Sequence, residues 1–143
     1  MSGSVDRKIG RLDYEVSLYR EVEGVNNAEN MEEAVPIGTR LQLRVKLADN
    51  SIWRYVKLLE VILSPSKEEP QTSGHVTLLE GGCRVEEFEG IMPKEPWVPD
   101  NTTGEARMEF EAVMLDFNRG ATSRIWVHAR TIACQTREFC TQV

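Results

Sequence analysis

Alternation with a period of two constrains this chain more than any other feature. Leu41, Leu43, Val45 and Leu47 alternate with Gln42, Arg44 and Lys46. Successive side chains of an extended strand point to opposite faces, so this pattern predicts a strand with one buried and one wet face. The pattern recurs. Leu12, Tyr14, Val16 and Leu18 share one parity, and so do Met108, Phe110, Ala112 and Met114. Ile125, Val127, Ala129 and Thr131 form a further set. A run over residues 52–63 is rich in Val, Ile, Trp and Tyr, which favours strand over helix. A short apolar stretch at residues 75–79 is bounded by Gly74 and Gly81-Gly82. Six strands are predicted, over residues 12–18, 41–47, 52–63, 75–79, 107–116 and 124–134, and no long stripe has helical spacing. The short polar link at residues 48–51 predicts an antiparallel hairpin between the second and third strands. The fold class expected is all-β, an antiparallel β-sandwich with Greek-key connections.

Composition supports one globular domain. The chain has 143 residues, 41% hydrophobic and 28% charged, enough for a core and too apolar for a disordered chain. No apolar run reaches the length of about 18 residues that a membrane helix needs. The formal net charge is −6, which disfavours nucleic acid and anionic lipid as partners. Residues 1–10 open with Met1-Ser2-Gly3-Ser4 and read as a leader or linker, and residues 11–143 as the domain.

The residues needed for catalysis are not arranged for it. The sequence holds no phosphate-binding loop, no Gly-x-Ser-x-Gly elbow and no Cys-x-x-Cys or His-x-x-x-His pair. His75 and His128 fall inside strand patterns, where a histidine is usually structural. Glu86, Glu87 and Glu89 read as a solvated cluster. Scattered loop carboxylates suit at most calcium, which needs no strict motif. No catalytic residue, cofactor or metal site is expected.

The longest link covers residues 84–105 and carries Pro93, Pro96 and Pro99. A link of that length usually has a function. Ile91, Met92, Trp97 and Val98 make it a candidate ligand surface, since Met and aromatic residues are enriched at interfaces. The competing expectation is that Trp97 tucks back on the sandwich. Asn101-Thr102-Thr103 is an N-glycosylation triplet in the same loop, which makes Asn101 a candidate acceptor.

The cysteines bring a family into view. Cys83 follows Val76-Thr77-Leu78-Leu79-Glu80-Gly81-Gly82, and this string resembles the strand and Gly-Cys element of the zona pellucida module's C-terminal subdomain. Met108-Glu109-Phe110-Glu111-Ala112-Val113 resembles that family's aromatic strand. The segment from Ile125 to Cys134, with Cys140 beyond it, resembles its closing strand and cysteine pair. Ile37-Gly38-Thr39-Arg40-Leu41 resembles its alternating strand upstream.

The resemblance implies an immunoglobulin-like sandwich, extracellular, forming the second half of a two-part module. It implies a non-enzymatic role in matrix filaments, with other zona pellucida-module proteins as partners. Some family members are growth-factor co-receptors, so an extracellular protein ligand is the alternative. It implies that Leu12, Tyr14, Val16 and Leu18 form an internal hydrophobic patch used in assembly. Contact with a membrane would come only through an anchor beyond Val143. By position, it pairs Cys83 with Cys140 and leaves Cys134 single, because the family's cysteine near residue 64 is missing here. Sequence also allows Cys134–Cys140 or Cys83–Cys134. A cytosolic interaction sandwich is the remaining reading.

Overall fold

The computed structural model describes residues 2–6, 14–21, 28–30, 37–48, 53–66, 68–100, 102, 104–113 and 124–140. It is an all-β sandwich. The strands are β1 (Ser2–Asp6), β2 (Tyr14–Glu21), β3 (Ala28–Asn30), β4 (Arg40–Leu47) and β5 (Tyr55–Ser64). They continue with β6 (Val76–Glu80), β7 (Cys83–Arg84), β8 (Glu105–Glu111) and β9 (Arg124–Cys134). One sheet has the order β1-β9-β5-β6-β7, and the other β3-β2-β4-β8. Every pairing is antiparallel except that of β1 with β9, which is parallel.

The period-two pattern decides what is buried. On β4, Leu41, Leu43 and Val45 are fully buried, while Arg40 and Lys46 face solvent. On β8, Ala106, Met108 and Phe110 are buried, and Arg107 and Glu109 between them are not. From the opposite sheet Val56, Leu58, Val61 and Leu63 of β5 meet them, with Ile125, Val127 and Ala129 of β9. Each fully buried Leu or Phe contributes about 1.5–3 kcal/mol relative to exposure.

Two expectations change. Strands β4 and β5 are not a hairpin, because β4 lies in one sheet and β5 in the other. Both strands are apolar on one face, and stacking those faces across the core buries more apolar surface than lying edge to edge would. The leader or linker expected over residues 1–10 also changes: Ser2–Asp6 is β1, in register with Arg124–His128.

Two glycine positions set the turns around this core. Gly81 and Gly82 close the β6–β7 hairpin with φ of 59° and 85°. Two positive φ values in a two-residue loop define a type I′ turn, whose twist suits flanking strands. Gly104 precedes β8 with φ of 73°, and a Cβ there would lie 3.3 Å from the Arg54 carbonyl oxygen. Its own carbonyl accepts the Leu47 N–H at 2.8 Å, joining β8 to the end of β4. Gly104→Ala is therefore expected to lower the unfolding free energy by about 1–2 kcal/mol, measured by urea titration. An unchanged midpoint would mean that the backbone relaxes there without cost.

The β5–β6 connection folds over the outer face of its own sheet. The His128 ring donates from Nε2 to the Ser66 carbonyl at 2.8 Å, and His75 from Nδ1 to the Thr72 carbonyl at 2.8 Å. The Ser64 hydroxyl donates to the Glu69 carbonyl at 2.9 Å. Ile62 and Ser64 are thereby buried on a side that would otherwise face water.

Candidate functional site: a strapped edge and a half-covered edge

The long link after β7 is a strap along β8. It leaves β7 through a single 3-10 turn, Glu86–Phe88, on which Glu86, Glu87 and Glu89 are exposed. It then runs antiparallel to β8. The Glu111 N–H donates to the Ile91 carbonyl at 2.8 Å. Trp97 and Arg107 exchange both backbone bonds, at 2.9 and 2.8 Å. Arg84 holds the strap's middle, with Nε 2.9 Å from Glu95 Oε1 and Nη1 3.3 Å from the Met92 carbonyl. Satisfied backbone groups at an edge remove the template for adding a strand.

The four candidate ligand residues divide accordingly. Met92 is 1% exposed and belongs to the core, and Ile91 packs against that core. Met92 is therefore corrected from ligand contact to anchor, because a strap needs an apolar plug to stay down. Trp97 is half-buried, under the Lys94 ammonium at 4.0 Å from the ring centroid. Val98 remains exposed. Asn101 lies outside the described residues. The neighbouring Thr102 is exposed, and its hydroxyl donates to the Pro99 carbonyl at 2.7 Å.

The hydrophobic patch candidates line the sandwich interior. Val16 and Leu18 are buried, and Tyr14 packs against the same core. Leu12 lies outside the described residues. Strand β2 pairs with β4 from Tyr14 to Arg20 and, among the described residues, with β3 only from Tyr19 to Glu21.

At the other end, Cys134 closes β9 and bonds to Cys140 in the 3-10 turn Arg137–Cys140, with a Cα–Cα distance of 5.9 Å. Both cysteines are buried. Cys83 is free and exposed beside the Gly81-Gly82 turn. The Cys83–Cys140 pairing that the resemblance implies is thus replaced by a local one. The two cysteines that pair flank one tight turn, whereas Cys83 sits at a hairpin tip on β7, at the far edge from β9. A closed loop with a sequence separation of 6 contributes about 2 kcal/mol in the loop-entropy account. Cys140→Ser is expected to lose that amount, read from the denaturant midpoint.

A further edge belongs to β9. Among the described residues, strand β1 covers it from Arg124 to His128. Beyond this, residues 129–131 have no strand on that side among the described residues, before the disulfide-bonded turn begins. Half-covered edges accept added strands.

Among the described residues, no three His, Cys, Asp or Glu side chains are grouped to hold a metal ion, and no helix is long and apolar enough to cross a membrane. No protein-family model matches the chain, and no curated protein matches it.

Proposed function

We propose that this chain is an extracellular, non-enzymatic assembly domain, the C-terminal half of a zona pellucida-type module, which joins neighbours by strand addition at β9. The observation that carries this reading is the state of that edge. Its cover is a five-residue parallel strand. Parallel pairs are slightly weaker per residue than antiparallel ones. The opposite sheet's β8 edge is strapped shut, so strand addition there is disfavoured. The Cys134–Cys140 bond supports an oxidising compartment, where disulfides persist.

Two measurements test this. Protein purified without reductant and then denatured should show one free thiol, Cys83, and three only after reduction. Three thiols before reduction would overturn the extracellular reading. For the edge, Val5→Pro removes a backbone donor from β1 and loosens it. Sedimentation velocity should then show a several-fold larger oligomer fraction than in the unaltered chain. A labelled peptide of residues 1–8 should bind the Val5→Pro chain more tightly than the unaltered one. If neither the oligomer fraction nor peptide binding changes, strand addition at β9 is wrong.

A further inference from the structure

We propose that the solvent face of the β2–β4–β8 sheet binds an anionic polysaccharide, through a row of cations and aromatic rings that crosses the strands. The row follows from the register. Arg44 on β4 stands opposite Arg107 on β8, and Trp97 of the strap pairs with Arg107 from the other side. Their neighbours Leu43, Val45, Ala106 and Met108 fill the core, so both arginines point outward. A paired residue presents its side chain on the same face as its partner, which places Trp97 beside Arg107. The row ends in a ring stacked with a cation on each side. The Arg44 guanidinium lies 4.2 Å from the Tyr19 centroid, and the Lys94 ammonium 4.0 Å from that of Trp97.

Two arginines directly opposite each other are unfavourable in a sheet. This pair is also the closer kind, because Arg107 gives both its backbone groups to Trp97 and none to Arg44. Arg44 is bonded to a neutral group, whereas Arg107 forms an ion pair with Glu105. Arg44 Nε donates to the Gln42 side-chain oxygen, a neutral acceptor. Arg107 donates from Nη2 to Glu105 Oε2 at 3.0 Å, but its Nε is buried with no partner. Glu109 borders the row and receives the Gln42 amide at 3.5 Å. An anion arriving between the guanidinium groups would relieve their repulsion.

The pattern selects the ligand's class. Guanidinium forks match sulfate and carboxylate groups, which recur along an acidic glycan. Flat rings at the ends of the row suit the apolar faces of sugar rings. The row spans three strand spacings, about 14 Å, enough for a short oligosaccharide. The protein is acidic as a whole, and Glu105 and Glu109 lie on the same face as the row, which disfavours nucleic acid. The inference is independent of strand addition at β9, which lies on the other sheet.

Calorimetry on the full chain at about 0.1 M salt, where surface charges still act over about 10 Å, tests it with three probes. These are heparin fragments, hyaluronan and neutral dextran. Heparin is expected to bind and dextran not to bind. Binding of hyaluronan as well assigns recognition to carboxylates, and its failure assigns it to sulfates. Arg44→Gln, Lys94→Gln and Trp97→Leu should each weaken heparin binding roughly fivefold or more. Lys57→Gln, which removes a cation from the other sheet, should leave it unchanged. Lys94 is exposed on the strap, so its variant reports on binding without disturbing the fold. The proposal falls if heparin and hyaluronan both fail to bind, or if dextran binds as tightly as heparin. It also falls if Lys57→Gln weakens binding as much as Lys94→Gln.

Discussion

Met92→Ala is expected to lower the unfolding free energy by about 2–5 kcal/mol, the usual cost of emptying a buried methionine site. The side chain is 1% exposed, in a segment whose length and prolines mark it as a loop. Its loss should also loosen the strap locally. The Ile91–Glu111 and Trp97–Arg107 backbone bonds close the β8 edge on either side of it. Hydrogen exchange at the Arg107 and Glu111 amides should rise before the rest of β8 opens, since local openings need less free energy than global unfolding. A control at the exposed Val98 should be nearly silent, within about 0.5 kcal/mol. If Met92→Ala is equally silent and its only effect is on binding, then the residue is a surface contact and the strap is misplaced.

The second large effect is expected on β2. Leu18→Asp puts a carboxylate among Leu43, Val16 and their neighbours, at a site 3% exposed. An unpaired buried charge costs more than the few kcal/mol that hold a domain of this size together. The variant should be unfolded, or aggregated, by far-ultraviolet circular dichroism and size exclusion. Ser17→Asp, one residue earlier on the outward face, should fold with stability within about 0.5 kcal/mol of the parent. The contrast tests register directly, because a slip by one residue would exchange the two outcomes. It also means that loss of assembly in a β2 core variant would report on folding first. Variants on β1 and the outer side of β9 are the ones that separate assembly from stability.

The core was legible in the sequence because burial leaves a period. Leu41, Leu43 and Val45, and likewise Met108 and Phe110, fall where alternation places them. The partner of each strand was not legible. Alternation says which face is buried but nothing about which strand lies alongside, so β4 and β5 read as a hairpin although they face each other across the core. Ser2–Asp6 is short and has no alternation, so it carries no periodic signature. Met92 misled for a chemical reason: a methionine that plugs a strap and one that meets a ligand look alike in one dimension. The row of Arg44, Arg107 and Trp97 was hidden more deeply. Its members are 10 to 63 positions apart in the chain, and only the register places them side by side.

Strand β9 stands between the first strand of the chain and β5. A nascent chain leaving the ribosome therefore carries β1 and β5 without the strand that joins them until residue 124 and its successors emerge. Until then the β5 edge is open and its apolar face is covered on one side only, the condition in which partly made domains stick to one another. Pairings this distant in sequence also make for slow closure, since the whole intervening chain must be gathered first. β9 is thus the strand that completes the sheet, and the domain's exposure to misassembly is set by how promptly that strand arrives.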